Sequence, residues 1–350
     1  QGIDIVRIDA VPYIWKQLGT DCRNLPQVHT IVRMIRMITE IVCPGVVLLG
    51  EVVMEPAKVV PYFGTIEKPE CHMLYNVTTM ASTWHTVATK EVALLKQQMD
   101  VVNSLPKEYV FLNYLRCHDD IGWGLDYDFL KTSGIQEIPH KKYLNEYFRG
   151  MAAGSDARGE LYNDDPVLQD ARLCGTTASL CGLEASLQAK DSARIERAIQ
   201  KILMLNAYLF IQSGIPVIYS GDEIGQVNDY TYKNDPEKRV DSRYIHRGKF
   251  DWKLADGRKR KGTVQKELFD GIGKLRSIRS KEKVFDASAN VWTLDTWENG
   301  ILTALFNFAE EDRTAWIEEE GEYMDLYTGK KVSLQAIKME GHSFVLAKKC

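Results

Sequence analysis

Gly2-Ile3-Asp4-Ile5-Val6-Arg7-Ile8-Asp9-Ala10-Val11 sets two opposite charges, two residues apart, into an otherwise apolar run. A buried parallel strand reads as nearly continuous Val, Ile and Leu, and residues two apart share one face of a strand. Arg7 and Asp9 therefore point the same way. They form either a structural ion pair or a functional site at the end of the strand.

Outward from this run the chain alternates strand and helix. Ile3 to Ile8 reads as a strand. Leu25 to Val42 has helical spacing and is stopped by Pro44-Gly45. Val46-Val47-Leu48-Leu49-Gly50 is a second buried strand, with Glu51 next. A short helix follows Pro56, Cys71 to Tyr75 is a third strand, and Val77 to Val102 reads as one long helix. Tyr109 to Leu115 is a strand that runs into Arg116-Cys117-His118-Asp119-Asp120. Asp191 caps a helix through Leu209, Ile215 to Tyr219 is the fifth strand, with Asp222-Glu223 beyond it, and a helix fits about 260–281. Five strand–helix units imply a parallel sheet. Polar residues gather just after the strands, as they do at the C-terminal face of a (β/α)8 barrel, and no GxGxxG turn supports a dinucleotide fold.

Five units suffice for about strands 4–8 of such a barrel, so the expectation is the C-terminal part of an α/β barrel that lacks its N-terminal strands here. The expected divisions are 1–120 (barrel strands 4–7), 121–188 (a Gly-, Asp-, Tyr- and Asn-rich insertion of loops and short helices), 189–283 (the strand-8 region) and 284–350 (an all-β sandwich). The last rests on Ile301–Phe308 and Ser343–Leu346 reading as strands.

The 350 residues are 45% hydrophobic with a net charge of −4, which gives no basic footprint for nucleic acid. No apolar run approaches a membrane span. Seven scattered cysteines without a CxxC pair suit reduced thiols and a cytoplasmic setting.

Three acids, Asp9, Glu51 and Asp119, end three successive strands, and a barrel would bring them around one pocket. Glycoside cleavage with retention uses two carboxylates about 5 Å apart, one as nucleophile and one as acid and then base. A third acid can hold sugar hydroxyls as the ring flattens.

The context of these acids carries a resemblance. Gly2-x-Asp4-x-x-Arg7-x-Asp9-Ala10-Val11, Gly50-Glu51 and His118-Asp119-Asp120 resemble the strand-4, strand-5 and strand-7 motifs of glycoside hydrolase family 13, the α-amylase superfamily. Asn24-Leu25-Pro26-Gln27, His118 to Trp123, Ile218 to Glu223 and Asp241-Ser242-Arg243-Tyr244-x-His246-Arg247 look closest to the amylosucrase group. The resemblance implies Asp9 as nucleophile, Glu51 as general acid/base and Asp119 as transition-state stabiliser. It implies that Arg7 keeps Asp9 ionised, that His118 binds sugar hydroxyls, that Asp120 and Arg172 line the neighbouring subsite, and that Arg243 closes the glucose pocket by pairing with an upstream aspartate. The family's strand-3 Asp–His motif is missing. Lys141 stands where an arginine more often contacts glucan, and lysine cannot reproduce a planar two-pronged contact. The implied substrate is sucrose or an α-glucan, with no cofactor and no metal, and with glucose passed to glucan, water or phosphate. The alternatives are α-glucosidase, α-amylase or sucrose hydrolase action.

Plainer readings stand beside these. Arg7 and Asp9 alone could be a core ion pair, and Asp222 and Glu223 suit loop bonding. His29, His72, His85, His140 and His342 suit surface or packing roles. Trp123 is a candidate for core or for sugar stacking. The rival classes are a metal-dependent hydrolase using His118, Asp119 and Asp120, and an inactive sugar-binding fragment.

Overall fold

The computed structural model describes residues 2–54, 56–106, 108–167, 170–285 and 302–350. Strand β1 (Ile5–Ile8) leads through helix α1 (Pro26–Val42) to β2 (Val47–Gly50), and α2 (Pro56–Val59) to β3 (Met73–Tyr75). Helices α3 (Val77–Thr89) and α4 (Ala93–Asn103) precede β4 (Val110–Tyr114). Then come α5 (Tyr127–Thr132), α6 (Glu137–Phe148), a hairpin of β5 (Glu160–Asp165) and β6 (Asp170–Cys174), and α7 (Thr177–Leu180), α8 (Leu183–Ala189) and α9 (Ser192–Ile211). Strand β7 (Ile215–Val217) follows, then α10 (Trp252–Ala255) and α11 (Val264–Lys281).

Strands β1, β2, β3, β4 and β7 form one parallel sheet in chain order. This is the expected barrel arc, followed by an all-β part. The central strands are closed in on both faces: Leu48, Leu49, Met73, Leu74 and Phe111 are buried. Gly50 ends β2 because nothing larger fits; a Cβ there would lie 2.6 Å from Cys71 Sγ and 2.9 Å from a Leu74 methyl. The two edges differ. Ile5 and Val6 on β1 are 46% and 40% exposed, and Ile215 and Val217 on β7 are 43% and 38% exposed.

The all-β part contains β8 (Leu302–Phe306), β9 (Arg313–Ala315), β10 (Tyr323–Asp325), β11 (Lys330–Val332), β12 (Ile337–Met339) and β13 (Phe344–Lys349). A four-stranded antiparallel sheet, ordered β11-β10-β13-β8, lies beside the β9–β12 pair. Leu346 and its neighbours pack with Phe210, Ile272 and Leu275 of α9 and α11. The start of the expected β-domain, 286–300, and Ile301 of the expected strand lie outside the described residues.

Two expectations need correction. The single helix expected over 77–102 is two. Lys90 takes a left-handed φ of 65°, its N–H closes on Thr86 O, and α4 begins again at Ala93. Its ammonium returns to Val87 O at 3.0 Å and lies over the Tyr147 ring, and these contacts fix the break without Gly or Pro. Within 121–188 the β5–β6 hairpin joins the expected loops and short helices. Asp191, by contrast, caps α9 as the sequence suggests, accepting Arg194 N–H at 3.1 Å.

The edges carry a consequence. Unpaired strand edges are templates for pairing, and α1 adds bare Met34, Met37, Ile38, Ile41 and Val42 beside β1. The 350-residue chain on its own should therefore self-associate at micromolar concentration. Light scattering behind size-exclusion chromatography checks this, and a stable monomer contradicts it.

Candidate active site

The polar residues that follow the parallel strands all lie at the C-terminal end of the sheet. Arg7 is on β1, and Asp9 comes directly after it. Glu51 follows Gly50, where β2 ends, and Tyr75 ends β3. His118 and Asp119 lie in the segment after β4. Arg243 and Arg247 come from a 3-10 helix, Ser242–His246, and the residue after it.

Arg7 joins the first two acids. One guanidinium nitrogen lies 2.6 Å from Asp9 Oδ1 and another 2.8 Å from Glu51 Oε1. The Ala10 N–H donates to the other Glu51 oxygen at 3.0 Å, and the Arg7 guanidinium lies over the Tyr75 ring, 5.7 Å from its centroid. The two acids are not equivalent. Asp9 is 73% exposed and Glu51 only 17%. The hydrogen bond from Arg7 holds the Asp9 carboxyl below the usual aspartate range, whereas burial pushes Glu51 above the usual glutamate range. Asp9 thus gives up its proton more readily than an ordinary aspartate and Glu51 less readily than an ordinary glutamate. Both carboxyls are drawn onto the one Arg7 guanidinium, each at its own nitrogen.

Asp119 accepts from three cationic or polar groups. Its Oδ2 lies 3.1 Å from His118 Nε2, and its Oδ1 lies 3.2 Å from Arg243 and 3.1 Å from Arg247. Arg243 also makes a two-pronged contact with Asp241 and lies 4.4 Å from the Tyr162 ring centroid. In this chain the partners of Arg243 are therefore Asp241 and Asp119. Asp120 pairs with Arg172 at 3.2 Å, so those two residues do meet. Lys141 is bound to Glu137 at 2.9 Å and to Asp170 at 3.4 Å, with its ammonium over the Tyr127 ring.

Behind these groups lies a buried base that the sequence reading missed. Arg116 makes a two-pronged bond to Asp222 at 2.8–3.0 Å and stacks over Tyr219; Thr177 Oγ1 also donates to Asp222. Arg116 and Asp222 both sit in motifs that the sequence already marks, but only the fold brings them together. Trp84 donates its indole N–H to Leu115 O at 2.7 Å, fixing the end of β4. Trp123 is buried, bonded to Asn145 and stacked on Phe148, so it belongs to the core and is no sugar platform.

The metal reading fits poorly. Among the described residues Cys117, His118 and Asp119 bring donor atoms within 4.8 Å of one another. However, Cys117 Sγ accepts the Asp119 N–H, and burial pushes the thiol up to about 11. Two guanidinium groups already occupy Asp119, and Asp120 turns to Arg172. His85 and His140 face each other in the core, 5.0 Å between ring centroids, and burial pushes His85 down to about 4. His29 pairs with the fully buried Glu70. Among the described residues neither pair contacts Asp9, Glu51 or Asp119.

The opposed shifts depend on Arg7. Asp9, lowered in the fold, contributes stability that grows as pH rises; Glu51, raised in the fold, has the opposite slope. In Arg7→Gln the Asp9 carboxyl should titrate at higher pH than in the native chain. Carbon-13 NMR of the side-chain carboxyls reads this directly, and an unchanged Asp9 titration contradicts the role given to Arg7.

No protein-family model matches the chain. It is 26% identical over 289 residues to a glucosylglycerate phosphorylase of Spirochaeta thermophila, covering 82% of this chain and 45% of that protein. It is 33% identical over 226 residues to a trehalose synthase/amylase of Mycobacterium tuberculosis, covering 64% of this chain and 31% of that one. The fold is similar to sucrose 6F-phosphate phosphorylase from Thermoanaerobacter thermosaccharolyticum, with a TM-score of 0.58 and 18% identity over 97% of this chain and 60% of the other. The chain spans about half the length of the glucosylglycerate phosphorylases it matches. The structural likeness supports the barrel fold, and the relatives make the α-amylase family, glycoside hydrolase family 13, what the chain is similar to. They do not single out amylosucrase.

Proposed function

We propose that this chain carries the catalytic carboxylates of an enzyme that transfers α-glucosyl groups with retention. The observation that carries the reading is Arg7 set between two acids whose proton affinities are shifted in opposite directions, Asp9 down by its bond to Arg7 and Glu51 up by burial. Asp9 attacks the anomeric carbon while Glu51 gives its proton to the departing oxygen, and a glucosyl ester forms on Asp9. Glu51, now a carboxylate, takes the proton of the acceptor as that acceptor displaces Asp9. His118 and Asp119 hold sugar hydroxyls, and Arg243 and Arg247 keep Asp119 charged and oriented. Asp120 and Arg172 line the adjoining subsite.

The motif resemblance supports sucrose as a donor. The glucosylglycerate phosphorylase relatives favour phosphate as the acceptor and glucosylglycerate as a second donor. Lys141 is committed to Glu137 and Asp170, which argues against a glucan-elongating role.

Kinetics of the full-length protein on sucrose, glucosylglycerate and an activated aryl glucoside, with and without phosphate, test the proposal. Phosphate should raise turnover and give α-glucose 1-phosphate. Glu51→Gln should slow cleavage of both natural donors by about 10²–10⁴-fold, and glucosylation by the aryl glucoside far less. Equal losses on all donors contradict Glu51 as the acid. A phosphate-independent rate contradicts the acceptor.

A further inference from the structure

The segment that bears His118 and Asp119 has left the sheet, since β4 ends at Tyr114. Its backbone groups are satisfied one at a time, by a side chain of its own and by groups from other elements. Leu115 O takes the Trp84 indole N–H, Asp119 N–H goes to Cys117 Sγ, and Ile121 exchanges both backbone bonds with Leu173. The His118 carbonyl is held by two donors from a single element: His246 Nε2 at 3.1 Å and Arg247 Nε at 2.6 Å.

The state of His246 follows from its other nitrogen. Nδ1 lies 3.0 Å from the Gly175 N–H, which can only donate. Nδ1 is therefore bare, and Nε2 carries the proton and donates it to His118 O. The ring is buried, and burial, with Arg116 nearby, pushes it down to about 3. It stays neutral and in one tautomer at ordinary pH. Its own carbonyl takes an N–H from Arg116, which Asp222 pins. One imidazole thus links Gly175 after β6, the 3-10 helix after β7 and the peptide after β4.

We infer that His246 is a positioning residue that, through its Nε2–H on the His118 carbonyl, sets the His118–Asp119 peptide so that both side chains face the sugar. This rests on Asp119 acting at the sugar, as proposed above. A misplacement of about 1 Å at such a group can cost on the order of a hundredfold in rate, and no other described donor besides Arg247 reaches that carbonyl.

The test compares two variants of the full-length protein. In His246→Gln the side-chain N–H can replace Nε2; in His246→Asn the acceptor near Nδ1 can remain, but the donor to His118 is lost. His246→Asn should lose about a hundredfold in kcat. The loss should be equal on sucrose and on an activated aryl glucoside, because Asp119 acts on the sugar and not on the leaving group. His246→Gln should recover most of it. Equal kcat in the two variants, or a native kcat in His246→Asn, overturns the inference while Asp119→Asn remains inactive. A fully active Asp119→Asn instead overturns the role of Asp119, and this inference with it. Nitrogen-15 NMR of the unmutated protein needs no variant: a neutral Nε2–H imidazole between pH 5 and 8 supports the inference, and a protonated or Nδ1–H ring overturns it.

Discussion

Arg7 between Asp9 and Glu51 is the interaction on which the rest of the site depends. Two carboxyls gathered on one side chain do not both ionise freely unless that side chain is a cation. The guanidinium can serve both because it is planar and always charged, and because β1 and β2 run parallel in register, with Arg7 opposite Leu49 and Ile8 opposite Gly50. The missing side chain at Gly50 lets β2 approach Cys71 and Leu74 closely, and so sets where Glu51 emerges. The difference between the acids then comes from place alone. Asp9 stands in solvent against the cation, while Glu51 is tucked behind the strand ends.

A second pair of ions supports the segment after β4 that bears His118 and Asp119. Arg116 and Asp222 are both buried, and each satisfies the other with two bonds. A buried pair of this kind contributes little net stability but penalises any arrangement that separates its members. It couples the end of β4 to the loop after β7, and from there the 242–247 segment reaches back to hold His118 and Asp119. The acids are therefore carried by strand ends, and the strand ends are carried by buried polar contacts.

Much of this was legible in residue order. An acid directly after a buried apolar run marks Asp9 and Glu51 without knowledge of the fold, and the helices around 25–42, 191–209 and 260–281 announce themselves by spacing and caps. The break at Lys90 was not legible, because a lysine in a left-handed turn bonded to its own helix leaves no Gly or Pro mark. The β5–β6 hairpin was hidden by composition: Glu160 to Asp165 has one aliphatic residue, Leu161, and reads as loop. Trp123, close along the chain to His118, left core and stacking both open; its burial against Phe148 is a fact of packing. His246 and Arg116 were invisible as site residues for a simpler reason. Their partners lie 128 and 106 positions away, and a pairing of that span has no local pattern.

The central claim, that Asp9 becomes glucosylated while Glu51 handles the proton, is tested most directly by trapping the ester. The full-length Glu51→Gln protein, treated with α-glucosyl fluoride, quenched in acid and digested, should yield the peptide containing Asp9 heavier by one glucosyl residue, as read by mass spectrometry. A label found on another carboxylate, or an unlabelled Asp9 peptide from protein that still releases fluoride, would contradict the account.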